Sequence, residues 1–161
     1  MHREENERIA GLLFAYLAAD YRWQRDGHWH DLRIGLPAPG PELAYPDATG
    51  FALLSAWDPQ SVPRPEPVNR RADQALHDAL LASGRIFVPA FSSAPDRSWR
   101  DPSWLVMDLD LADLDALGRR FGQLAMVVWR KGEPLRLRML SPRPDGLDDP
   151  LERLAFVDWV E

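Results

Sequence analysis

The succession of hydrophobic patterns predicts an α+β domain, and three observations carry that expectation. From Phe51 onward, short apolar runs alternate with stretches of helical period in the order β-α-β-β-α-β, and one more strand follows. Both stretches of helical period carry boundary residues, Asn69 and Asp110 at their starts and Gly84 and Gly122 at their ends. Apolar residues make up 45% of the 161, which suits one domain with a substantial core. This order is the split-βαβ, ferredoxin-like pattern: a single-layer, mostly antiparallel sheet with its helices on one face. The expected organisation is one domain over 1–161, in three parts. Residues 1–50 hold an extra helix, hairpin and loop, 51–140 the core and one further strand, and 141–161 a C-terminal extension.

In chain order, Ile9, Leu12, Leu13, Tyr16 and Leu17 lie on one face of an amphipathic helix from Glu4 to about Ala19. Tyr21 to Trp23 and Trp29 to Ile34 alternate around Gly27, which predicts a short hairpin. His28 and His30 would share a face of that hairpin as a metal pair does, but no third ligand is recognisable nearby, so an exposed tip is expected. Residues 35–50, rich in Pro and Gly, read as a long loop, either a lid or an insertion.

Phe51 to Trp57 is a near-continuous apolar run, hence a central strand buried on both faces, and Asp58-Pro59 stops it. Pro63, Pro65 and Pro67 favour an extended connection to a helix from Asn69 to Ser83, whose apolar face is Ala72, Ala75, Leu76, Ala79 and Leu80. Arg85 to Phe91 is the second strand, with Pro89 pointing to an edge or a bulge. A polar turn and the Trp99-to-Ser103 segment lead to the third strand, Trp104 to Leu109. The next helix runs from Leu111 to Phe121, and Leu124–Arg130 and Leu135–Leu140 are the last two strands. The Asp149-Pro150-Leu151-Glu152 signature predicts a short C-terminal helix to Val157.

Composition excludes several functions. With no cysteine, the chain has no disulfide, thiolate metal site or Cys nucleophile. A net charge of −6 has the wrong sign for a phosphate-backbone binder, so no nucleic acid is expected. Of the 19 basic residues only Lys131 is not Arg, which points to the codon bias of a GC-rich bacterial genome. The apolar run Ile9–Ala19 is too short to span a bilayer, and the residues before it are acid-rich, unlike a signal peptide. A soluble, cytoplasmic protein is expected, without membrane partner or cofactor.

The topology brings distant residues to one edge of the sheet. The end of the first strand, the start of helix 69–83, the loop before the third strand and the exit of helix 111–121 all fall there. Trp57, Asp58, Asn69, Arg70, Trp99, Ser103 and Gln123 should therefore converge as a Trp-rich polar rim. The motifs Trp57-Asp58-Pro59-Gln60-Ser61, Asn69-x-x-Ala72, Trp99-x-x-Pro102-Ser103 and Phe121-Gly122-Gln123-x-Ala125 resemble the bacterial domain-of-unknown-function family 3293 over about 51–128. In that pattern Asn stands where this chain has Asp58, and Glu where it has Asp101. The resemblance implies bacterial origin and no particular activity.

Two functions follow as expectations. The first is a binding or accessory module whose rim holds an anionic small molecule or a protein partner. Arg70 or Arg71 at a helix N-terminus would meet the anion, and Trp57 and Trp99 would stack on the ligand. The alternative is an enzyme using Asp58 or Asp101 as general acid or base, with Ser61 or Ser103 as a conceivable nucleophile. His77, mid-helix, is expected away from the rim. Asp108, Asp110, Asp113 and Asp115 look like a cation cluster, but helix capping and a solvated first turn account for them. A pocket with a desolvated carboxylate would favour the enzyme; a shallow or filled corner would favour the binding module.

Overall fold

The computed structural model describes residues 3–149 and 152–160, and within them the chain forms one open eight-stranded sheet with four α-helices. The elements are α1 (Arg3–Ala18), β1 (Asp20–Arg25), β2 (His28–Leu32), α2 (Pro39–Ala44), β3 (Gly50–Leu54), α3 (Glu66–Ser83), β4 (Phe87–Ser93), β5 (Arg100–Met107), α4 (Leu111–Arg120), β6 (Ala125–Arg130), β7 (Arg136–Met139) and β8 (Val157–Trp159). The sheet order is β2-β1-β4-β5-β3-β6-β7-β8, antiparallel throughout except for the parallel β7–β8 pair. Because β5 lies antiparallel between β3 and β4, those two run parallel, joined across α3. No helix of the described residues is long and apolar enough to cross a membrane.

The sheet is covered on both faces. Leu76 and Leu80 of α3 and Leu114 of α4 pack on Ala52, Leu54, Val106 and Met126. On the other face, Ile9 and Leu13 of α1 pack in one cluster with Phe51, Leu53, Leu105, Val127 and Trp129. The sheet is the single, mostly antiparallel layer expected, but the expectation of helices on one face is thereby corrected. Successive residues of a strand point to opposite faces, so a run apolar at every position needs a cover on each side. Phe51–Leu54 is such a run, and α1 is its second cover.

Five local expectations change. Helix α3 begins three residues before Asn69, at Glu66, because Pro67 falls in the first turn, where its missing N–H breaks no intrahelical bond. Asn69 is therefore inside the helix rather than its cap. Pro89 is not on an edge strand: β4 lies between β1 and β5. Its neighbour β1 stops pairing at Trp23↔Ala90, so Pro89 is opposed only by Trp104 of β5. The segment before Trp104 is strand rather than loop, since Pro102 likewise sits where β3 has ended, at Leu54↔Trp104, and pairs with Phe91. Residues 35–50 contain the short helix α2, with proline in its first turn. Near the C-terminus, Arg153–Phe156 is a 3-10 turn and Val157–Trp159 a strand beside β7, where a helix to Val157 was expected. Pro150 and Leu151 of that expected helix lie outside the described residues.

Candidate functional site

The loop after β3 is held in an unfavourable shape. Asp58, Gln60 and Ser61 all have positive φ, at 42°, 57° and 57°. Left-handed backbone at a non-glycine residue costs of order 1–3 kcal/mol and persists only where surrounding contacts over-determine it. Here they do. The Asp58 backbone N–H donates to Asn69 Oδ1 at 2.9 Å, and Asn69 Nδ2 donates to Asp58 Oδ1 at 2.7 Å. The Arg64 backbone N–H also donates to Asp58 Oδ1, at 3.1 Å, while the Arg64 guanidinium bonds Asn69 Oδ1 and, at 2.9 Å, the Ala56 carbonyl. Asn69 is 1% exposed, so its amide is a buried clamp within α3.

The Phe121-Gly122-Gln123 motif grips the other side. The Gly122 carbonyl accepts the backbone and side-chain N–H groups of Gln60 at 2.8 and 2.9 Å, and Gln123 Nε2 donates to the Trp57 carbonyl at 3.1 Å. Gly122 has φ +68°, and a Cβ there would stand 2.7 Å from Pro59 Cβ, so glycine is required twice over. Ser55 ties the loop to β5: its hydroxyl donates to the Pro102 carbonyl at 2.8 Å and accepts the Trp57 N–H at 3.0 Å. That carbonyl lies beyond the last β3–β5 pair, so the ladder does not use it.

The loop forms one wall of a cavity of about 70 Å³. Trp57, Asp58, Trp99, Ser103 and Gln123 all line it, as does Asp101. Ser55, Ser61 and Ser92 complete the polar wall, Tyr16 and Tyr21 enter from α1 and β1, and Leu53, Leu124 and Val127 are among its apolar residues. Of the expected rim, Asn69 stands behind the loop instead of lining the cavity. Arg70 is not there either. It is exposed and donates to Glu66 Oε1 at 2.9 Å, one turn away on the outer surface of α3.

Asp101 is the unusual group. Burial, and next the charge of Asp58, push its carboxyl up to about 6. Among the described residues neither the Asp101 carboxyl nor the Ser103 hydroxyl has a hydrogen-bond partner, although Ser103 is only 8% exposed. Asp58 makes no ion pair among the described residues, and both of its side-chain hydrogen bonds fall on Oδ1. The Tyr16 hydroxyl pairs with Ser61 Oγ, and the Tyr21 hydroxyl donates to the Tyr16 carbonyl. Burial raises the phenol of each above its ordinary value, so both stay neutral donors. Among the described residues no Lys, Arg or His lines the cavity.

Other candidates have structural roles. His77 packs against Phe87 and Trp104, and Trp104 Nε1 donates to Asp73 at 3.0 Å, away from the cavity. Asp108 Oδ1 accepts the N–H groups of Thr49 and Gly50, and Asp115 forms a two-pronged pair with Arg138. Among the described residues no group of three His, Asp or Glu could hold a metal ion. Sequence reasoning missed Tyr16, Tyr21, Ser55 and Ser92. The signal present was a tyrosine on an otherwise apolar helix face, whose hydroxyl needs a polar destination.

Residues 54–126 match the model of a family described as "Protein of unknown function (DUF3293)", the family to which the four motifs point. The match runs from the end of β3 into β6, and includes the strained loop, its two clamps and Asp101. No curated protein and no solved structure matches the chain.

Proposed function

We propose, from the stretch this chain shares with the DUF3293 family, that the cavity is a small-molecule site in which Asp101 transfers a proton to or from the ligand. The observation that carries this reading is an unpartnered, desolvated carboxyl with a titration point near 6, beside a second carboxylate. A general acid–base group is most effective when it titrates near the working pH. Strain in the Asp58–Ser61 loop supports the same reading, because strained backbone clusters where side chains must be held in place. Trp57 and Trp99 offer aromatic surface for orientation, and the Ser92 and Ser103 hydroxyls offer donors and acceptors.

Binding without reaction is the second reading, favoured by the small size of the cavity, about 70 Å³. The interlaced order β4-β5-β3-β6 supports a ferredoxin-like core beneath the site. The predominance of Arg over Lys and the lack of cysteine support a bacterial, cytoplasmic setting.

A thermal-shift screen against a metabolite library tests the proposal, using the wild-type chain and Asp101→Asn in parallel. A ligand at a hundredfold excess over its Kd should stabilise the wild type by about 2.7 kcal/mol. Each hit is then incubated with protein and followed by mass spectrometry. Turnover by the wild type that Asp101→Asn lacks supports proton transfer, and binding without turnover leaves the second reading. Turnover that persists in Asp101→Asn overturns proton transfer by Asp101, and a library without a single hit overturns both readings.

A further inference from the structure

Two carboxylates, Asp58 from the loop and Asp101 from β5, line one small cavity, and among the described residues no basic side chain lines it with them. Two arginines bond the loop without lining the cavity. The Arg8 guanidinium of α1 donates to the Gln60 carbonyl, and that of Arg64 is held by Asn69 and Ala56. The tyrosines from α1 and β1 contribute neutral phenols. Trp57 and Trp99 supply aromatic surface, and the hydroxyl of Ser103, a residue 8% exposed, has no protein partner among the described residues. A ligand of complementary chemistry is positively charged, donates several hydrogen bonds and tolerates aromatic neighbours.

The geometry points to a small organic cation, a guanidinium or primary ammonium group, as the ligand class of this cavity, bound between Asp58 and Asp101 against Trp57 and Trp99. The inference rests on the cavity being a ligand site, as proposed above, and goes beyond it by fixing the charge of the ligand. It reverses the sequence expectation of an anion, which depended on Arg70 or Arg71 reaching the rim, since neither lines the cavity. A bound cation favours the ionised form of Asp101, so binding strengthens as pH rises through about 6 and weakens below it.

Methylguanidinium and methylurea, near-isosteres that differ in charge, separate the possibilities, with propionate as the anionic control. Each is titrated into the full chain at millimolar concentrations, well below denaturing levels, while the indole N–H resonances of Trp57 and Trp99 are followed by NMR. At pH 7.5 methylguanidinium should bind about tenfold or more tighter than methylurea, a preference that shrinks at pH 5 and in Asp101→Asn. Equal or tighter binding of methylurea or propionate at the same resonances overturns the cation class and leaves the small-molecule site standing. Perturbation by none of the three also overturns the cation class, and the library screen then decides the parent reading separately.

Discussion

Asn69 and Asp58 hold each other reciprocally: the amide nitrogen of Asn69 donates to Asp58 Oδ1 at 2.7 Å, and its oxygen accepts the Asp58 backbone N–H at 2.9 Å. A fully buried amide in a helix thus fixes both the backbone and the carboxylate of a residue with φ 42°. The Asn69 Nδ2 donor suits a carboxylate acceptor at position 58.

Asn69→Ala removes both bonds and leaves the Asp58 N–H and the Arg64 guanidinium short of an acceptor. The expected loss is about 1–3 kcal/mol of stability, read from urea denaturation, because buried unpaired groups forfeit their full solvation. An effect within about 0.5 kcal/mol would show that the loop does not need the clamp.

Gly122→Ala should destabilise by at least about 1 kcal/mol. The added methyl meets Pro59 at 2.7 Å and sits on a backbone with φ +68°. The indole N–H resonance of Trp57 should shift as well, since Gly122 carries the loop through Gln60.

Asp101→Asn should stabilise the protein at neutral pH. The folded-state carboxyl titrates near 6, above its unfolded value of about 4, so the folded chain binds more protons between those points. Stability is therefore full below about pH 4 and falls as pH rises through 6. The full shift corresponds to roughly 3 kcal/mol, and partial solvent screening reduces this to about 1–2 kcal/mol at pH 7.5. Denaturation of both proteins at pH 4 and pH 7.5 checks the sign: the difference should appear only at the higher pH.

Leu80→Ala should cost about 2–5 kcal/mol, read from the same denaturation curves. Leu80 is fully buried where α3 meets the sheet, in the cluster that holds Leu54 and Val106. A loss below about 0.5 kcal/mol would contradict that placement.

The core elements were legible because their signals are local. Leu76 and Leu80 recur at helical spacing, and Leu54 and Val106 sit in short apolar runs, so their meeting followed from the order of elements. Val127 lies on the opposite face, with Trp129 and Leu13. Ala125–Trp129 is apolar at every position, so its face depends on which helix covers it. Strand β8 pairs with β7 from a distant part of the chain, a partnership that no local pattern at Val157–Trp159 announces. The site was legible where topology governs it, in Trp57, Asp58, Trp99, Ser103 and Gln123. It was illegible where helix phase or a distant docking decides: Arg70 turns outward on α3, and Tyr16 arrives from a helix that covers the other face.

The central claim is that Asp101 is a carboxyl without a hydrogen-bond partner among the described residues, raised first by burial and further by the charge of Asp58. Carbon-13 NMR of the Asp101 carboxyl across pH 3 to 9, in the wild type and in Asp58→Asn, tests it most directly. The account predicts a midpoint near 6 in the wild type and a lower one in Asp58→Asn, where the neighbouring charge is gone. A wild-type midpoint near the ordinary value of about 4, unchanged by Asp58→Asn, would contradict it.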